Sequence, residues 1–214
     1  VTDKSDGTYT FTMPGSRAEV NVTFVPEDAW SNPFSDVPAD AWYFDAVQYV
    51  NERGLMAGTG SNTFGPDLTT TRGMIVTILY SLEGTPAVST ASGFTDVAPG
   101  AYYANAVTWA AGNGIVAGYG GGLFGPDDII TREQLAMILY RYAQYKGYDV
   151  TARAELSGYD DAGQVAAYAV EAMRWAIAEG LISGTSATAL SPGGNATRAQ
   201  AAVILTQFCQ HIVE

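Results

Sequence analysis

Cysteine and histidine are nearly absent from this chain, and cations are scarce. The one cysteine, Cys209, permits no internal disulfide and offers no metal cluster; it reads as a small core residue. The one histidine, His211, leaves little for imidazole catalysis or zinc ligation. Ten lysines and arginines stand against 22 aspartates and glutamates, a net charge of -12. Nucleic-acid binding needs a basic stripe, so no nucleic-acid partner is expected. The same deficit argues against docking on an anionic membrane surface. No apolar run approaches the roughly 18 residues that cross a bilayer, so no membrane insertion is expected either. Charged residues make up only 15%, while 47% hydrophobic residues in 214 is ordinary for a chain with a buried core. Val1 opens the chain without a signal-peptide pattern, and the expectation is a mature or trimmed piece.

Glycine is plentiful, 24 of 214 residues, and much of it belongs to an internal repeat. Phe34-Ser35-Asp36-Val37 returns as Phe94-Thr95-Asp96-Val97, an offset of 60. The same offset carries Gly58 to Gly118, Phe64-Gly65-Pro66-Asp67 to Phe124-Gly125-Pro126-Asp127, and Thr71-Arg72 to Thr131-Arg132. A third, more divergent copy follows at offset 126, taking Trp42 to Tyr168, Gly58 to Gly184 and Thr71-Arg72 to Thr197-Arg198. Its opening Asp161 lies at offset 125, so one residue is inserted before Tyr168.

Each copy reads as helix, glycine turn, loop, helix. Tyr43, Ala46, Val47 and Val50 follow the i, i+3, i+4, i+7 spacing of an amphipathic helix, and the later copies repeat it. Gly54, Gly114 and Gly180 mark where these helices end in a left-handed residue, followed by an apolar one. Second helices start at the threonines: Thr131-x-x-Gln134 and Thr197-x-x-Gln200 are capping boxes, while Thr71-Arg72-Gly73-Met74 has lost half of one. A two-helix unit cannot bury its apolar faces alone. The expected fold is therefore mainly α: three helix-loop-helix repeats in a pseudo-threefold bundle, with grooves where units meet. The repeats span 34–84, 94–149 and 156–210, joined by linkers 84–93 and 147–156. Residues 1–26 differ. Alternation over 8–13 and 19–25 around Pro14-Gly15-Ser16 reads as a β-hairpin, the remnant of an upstream β-sandwich domain.

Phe-x-Asp-Val, an aromatic pair (Trp42-Tyr43, Tyr102-Tyr103), Gly-Ile/Leu-x-x-Gly, Phe-x-Pro-Asp and Thr-Arg before an apolar helix resemble the S-layer homology domain. The resemblance covers residues 34 to about 210, as three tandem copies. The N-terminal hairpin resembles the closing strands of bacterial surface Ig-like repeats. The resemblance implies a secreted, bacterial, noncatalytic module, a monomer with internal pseudo-threefold symmetry and no cofactor. It would anchor its protein to the cell wall by binding secondary wall polysaccharide, often a polymer with pyruvate ketals on N-acetylmannosamine. It also assigns anion contact to the arginine of Thr-Arg-Ala-Glu, which falls here on Arg72, Arg132 and Arg198. Copy three departs furthest, with Tyr159-Asp160-Asp161-Ala162 and Leu190-Ser191-Pro192-Gly193 at the two loop motifs.

The residues can also be weighed on their own chemistry. Three of the eight arginines sit at a helix start, where the macrodipole disfavours a cation by about 0.3–1 kcal/mol. They are either solvated or paired to aspartates such as Asp67 and Asp127, or they hold a ligand carboxylate in a bidentate fork helped by free N–H groups of the helix start. On the second reading Arg132→Ala weakens binding more than Arg141→Ala, with little change in stability. Trp42, Tyr102 and Tyr168 either pack in the core or offer a platform to a sugar face. Asp36, Asp96 and Asp161 either cap the turn into the first helix or meet sugar hydroxyls. Gly58, Gly118 and Gly184 either adopt unusual torsions or let a ligand approach the main chain. Adjacent pairs such as Asp160-Asp161 and Asp127-Asp128 point to different faces and read as turn residues, not glycosidase carboxylates. No EF-hand spacing appears, so no metal is expected. The rival to an anchor is a surface-layer protein that assembles with itself, and, more distantly, a carbohydrate-active enzyme.

Overall fold

The computed structural model describes residues 30–89 and 92–213, together with the backbone of Thr2–Asp3 and Tyr9–Thr10. The chain divides into Val1–Ser31 and Asn32–Glu214. In the first unit, β1 (Thr2–Asp3) pairs antiparallel with β2 (Tyr9–Thr10). The hairpin expected around Pro14 lies, apart from Tyr9 and Thr10, outside the described residues.

The second unit carries six α-helices, two per repeat: α1 (Phe44–Glu52) and α2 (Arg72–Leu82), α3 (Ala104–Gly112) and α4 (Arg132–Lys146), α5 (Val170–Ala178) and α6 (Arg198–Phe208). Each first helix stops at its expected glycine, with Gly54, Gly114 and Gly180 at φ 65°, 70° and 70°. Beyond each glycine an apolar N–H reaches back five residues, Leu55 to Val50, Ile115 to Ala110 and Leu181 to Ala176, each at 2.8 Å. These are Schellman endings, and the apolar residue that closes each is buried. At the second helices Thr131 with Gln134 and Thr197 with Gln200 form complete capping boxes. Thr71 accepts only from the Met74 N–H, since methionine has no group to return.

Packing runs from each repeat to the next. α2 lies against α3, α4 against α5, and α6 against α1. The loops before the second helices are stitched in a closed ring. Thr70 N–H donates to Ala196 O at 3.0 Å, Ala196 to Ile130 O at 3.0 Å, and Ile130 to Thr70 O at 2.9 Å. Alanine-rich first helices let the second helices come close, while Trp175, Tyr142, Phe208 and Phe124 fill the interior. Burying each such side chain contributes about 1.5–3 kcal/mol. Cys209 is buried just past α6, as a small core residue.

Candidate functional site

Arg72, Arg132 and Arg198 open α2, α4 and α6, and all three are buried, at 6%, 5% and 7% exposure. Each side chain crosses to another repeat and binds main-chain carbonyls there. Arg72 donates from Nε to Phe124 O and from Nη2 to Ala117 O, both at 3.1 Å. Arg132 donates from Nε to Leu190 O at 3.0 Å and from Nη2 to Ser183 O at 2.5 Å. Arg198 donates from Nε to Phe64 O at 2.8 Å and from Nη2 to Ala57 O at 2.6 Å. The Phe124 and Phe64 rings lie 4.6 Å from the Arg72 and Arg198 guanidiniums, and Tyr119 covers Arg72 at the same distance.

Neither bland expectation for these arginines is met, solvated or ion-paired. Among the described residues no carboxylate comes within 4.0 Å of them, Asp67 and Asp127 included. Their Nη1 atoms make no hydrogen bond to the described residues. Burial pulls each guanidinium below its ordinary pKa. Tyr119 and Asp128 beside Arg72, Asp161 beside Arg132 and Asp36 beside Arg198 oppose the shift. All three stay cationic, because arginine starts so far above neutrality.

The helix starts themselves hold no free donors for an anion, contrary to expectation. Arg72 N–H donates to Asp128 O, Arg132 to Gly194 O and Arg198 to Leu68 O. The next N–H groups, of Gly73, Glu133 and Ala199, go to the carbonyls of Pro126, Pro192 and Pro66. The third go to the capping threonines. The neighbouring loop has replaced any ligand at these three termini.

The aspartates do not cap the turn into the first helix; they hold the loop before the second. Asp36 accepts from Phe64 and Gly65 N–H, both at 2.8 Å, rather than capping the turn into α1. Asp96 takes Phe124 and Gly125, and Asp161 takes Leu190 and Ser191. Each carboxylate thus holds the loop whose carbonyl receives an arginine Nε. Burial tends to raise the Asp36 and Asp96 carboxyls, but these N–H bonds outweigh it and hold both low. Asp161 is held low by the Leu190 bond first.

Gly58, Gly118 and Gly184 do not adopt left-handed torsions, so that expectation is corrected too. They are glycines for want of space. A Cβ at Gly58 would lie 2.7 Å from Thr63 O and 2.8 Å from the Phe34 ring. At Gly118 it would overlap Leu123 O and the Phe94 ring, and at Gly184 it would lie 2.8 Å from Ala189 O and 2.9 Å from Tyr159.

Trp42, Tyr102 and Tyr168 are exposed at 67%, 62% and 51%, which removes the core-packing alternative. Their following residues, Tyr43, Tyr103 and Ala169, turn inward instead, Tyr43 half-buried and Tyr103 and Ala169 buried. Two cavities join these pieces. The first, about 340 Å³, brings together Arg72 of repeat one, Gly118 and Tyr119 of repeat two, and Tyr168 of repeat three. The second, about 280 Å³, joins Arg132 of repeat two, Gly184 of repeat three and Trp42 of repeat one. Both have the same construction: arginine from one repeat, loop and second helix from the next, aromatic from the third. Arg198, Ala57 and Gly58 stand in the matching positions of repeats three and one, with Tyr102 exposed on repeat two. What the two cavities offer is a cationic N–H fork, a tightly closed glycine loop beside it, and an exposed ring. Those groups suit an anionic, hydroxyl-rich ligand with a flat apolar face.

The S-layer homology domain family matches residues 33–73, 93–136 and 158–202, more than half of the chain. This chain belongs to the S-layer homology family. An endoglucanase of Bacillus sp. (strain KSM-635) is 30% identical over 174 residues, 81% of this chain and 18% of that enzyme. The surface-layer 125 kDa protein of Lysinibacillus sphaericus is 27% identical over 214 residues, covering 98% of this chain and 18% of that protein. The S-layer protein sap of Bacillus anthracis is 29% identical over 114 residues, 53% of this chain and 14% of its own length. The chain thus spans less than a fifth of these relatives. Three S-layer homology repeats mark it as a cell-surface, wall-associated chain. No helix among its described residues is long and apolar enough to cross a membrane.

Within the second and third S-layer homology repeats the structure adds residues to the two cavities. Gln134 and Arg141 of α4 line the first cavity, and Gln200 of α6 lines the second. Gln134, Met137, Ile138 and Arg141 stand at i, i+3, i+4 and i+7, one face of α4, a pattern already readable in the sequence. Arg141 is therefore no neutral control for Arg132.

Proposed function

We propose that this chain is a noncatalytic anchoring module that holds its protein to the bacterial cell wall. It binds an anionic secondary wall polysaccharide, of the pyruvylated kind that the family resemblance implies, in grooves between repeats. The three repeats, 34–84, 94–149 and 156–210, form a pseudo-threefold monomer; the cyclic helix pairing and the closed ring of loop hydrogen bonds support this reading.

The single observation that carries the binding proposal is the repeated cavity. Two buried guanidiniums, each with two N–H groups fixed on carbonyls and Nη1 unbonded to described residues, face clefts rimmed by an exposed ring. A carboxylate ligand takes the remaining N–H donors, and the ring receives a sugar face. Arg72, Arg132 and Arg198 hold the anion. Trp42, Tyr102 and Tyr168 stack on the sugar, and Gly58, Gly118 and Gly184 let the loop beside the arginine close tightly under it. Asp36, Asp96 and Asp161 position the loops.

A net charge of -12 opposes a polyanion at long range, but a Debye length of about 8 Å screens that repulsion in physiological salt. Several grooves engaging one polymer then raise moderate single-site affinity to firm attachment. The experiment is retention of the purified protein on cell-wall sacculi before and after hydrofluoric acid removes their secondary polymer. Loss of retention supports the proposal, and equal retention on stripped walls refutes it. Similarity to S-layer proteins favours a second reading, a lattice protein that assembles with itself; sedimentation showing concentration-dependent assembly without wall material supports that one.

A further inference from the structure

We infer that the first cavity recognises a glycan segment carrying two negative charges, whereas the second takes one. The inference rests on the anchoring proposal above and concerns what distinguishes its two cavities. Cations are few in this chain, and most have visible employment. Arg153 pairs with Glu171, Arg174 with Glu155 and Lys146 with Glu83. Arg141 is half-buried on the wall of the first cavity, and among the described residues no acidic group lies within 4.0 Å of it and no hydrogen bond ties it down. The cavity thus holds two guanidiniums, Arg72 and Arg141, and neither Asp nor Glu lines it.

The two groups come from different walls. Arg72 is fixed to the loop by the Ala117 and Phe124 carbonyls. Arg141 rises from α4 seven residues beyond Gln134, roughly 10 Å along the helix axis, with Met137 and Ile138 between them as an apolar strip. A carboxylate seated as a fork on the free N–H groups of Arg72 leaves the Arg141 guanidinium, on the helix wall, for a second acidic group. A saccharide with an acidic group at each end of an apolar face satisfies both cations. The equivalent residue in the second cavity is Gln207, and in repeat one it is Ser81, so the second charge is peculiar to this cavity.

The test uses oligosaccharides cleaved from the purified wall polymer and sorted by anion exchange into fractions bearing one and two negative charges. Calorimetric titration of the whole chain should show the two-charge fraction binding about tenfold tighter or more, the size of one added charge-assisted contact. Arg141→Gln should abolish that preference, weakening the two-charge fraction about tenfold more than the one-charge fraction. Gln207→Arg should strengthen the preference by adding a second such cavity. Equal weakening of both fractions by Arg141→Gln overturns the inference, since it means both cations grip one anion. An unaltered preference in Arg141→Gln overturns it as well. Should neither fraction bind the wild-type chain, it is the anchoring proposal itself that fails.

Discussion

Replacing Arg132 by alanine tests whether its side chain is structure or recognition, since the geometry gives it a structural load beside the recognition proposed above. The guanidinium binds Leu190 O, which is buried, and Ser183 O, which lies beside the second cavity. Truncation strands the buried carbonyl, at about 1–3 kcal/mol, while water replaces the fork at Ser183 for about 1 kcal/mol. The loss is therefore about 2–4 kcal/mol. For a protein of this size each kcal/mol moves the melting midpoint by about 2–4 °C, so Arg132→Ala should melt roughly 4–16 °C lower. Arg132→Lys keeps a cation but not the planar fork, and should fall between the variant and wild type. Differential scanning calorimetry measures the midpoints, and sacculus retention is compared well below them. The expectation from sequence was little change in stability. A midpoint for Arg132→Ala within 1–2 °C of wild type would return to that view and refute the load assigned to the carbonyl bonds.

The other variants separate packing from binding. Trp42→Ala should change stability by no more than about 0.5–1 kcal/mol, because the ring is largely exposed, yet lower wall retention; a large stability loss with retention intact contradicts its role as a platform. Gly118→Ala should destabilise by about 1–3 kcal/mol through overlap with Leu123 O and Phe94, whereas Gly112→Ala in α3, with open space at its Cβ, should stabilise by about 0.4–1 kcal/mol; equal signs in denaturant unfolding refute the steric account. Burial raises the Glu83 carboxyl, but bonds from Lys146 and Tyr142 prevail and hold it below its ordinary range. Its stabilising contribution is thus complete above that range and drains away as pH falls through the lowered value. Glu83→Gln should flatten this acid limb of the melting profile, and parallel profiles for variant and wild type count against the coupling.

Local chemistry was legible in the sequence, and distant partners were not. The helix-ending glycines at 54, 114 and 180 and the capping boxes at Thr131 and Thr197 depend on partners within five residues, so spacing alone reveals them. The repeat located the arginines and aromatics, because copies of one unit place equivalent residues alike. The burial of those arginines could not be read. Their partners lie 45 to 141 residues away, on other repeats. The aspartates misled for the same reason, since their N–H partners stand 28 to 30 residues on, while an N-cap is sought within three. In each adjacent pair, Trp42 with Tyr43 and Tyr102 with Tyr103, only the start of the following helix decides which ring faces inward. Arg141 showed the spacing of Gln134 but no repeat partner, and a search by repetition passes over what is unique.

The central claim is that buried arginines of these repeats grip negative charge on the wall glycan. Mild acid cleaves pyruvate ketals from a polysaccharide while leaving its sugar chain largely whole. Titration of the protein with purified wall polymer before and after that treatment should show binding that collapses with the acidic groups. Undiminished affinity for the neutralised polymer would contradict the account.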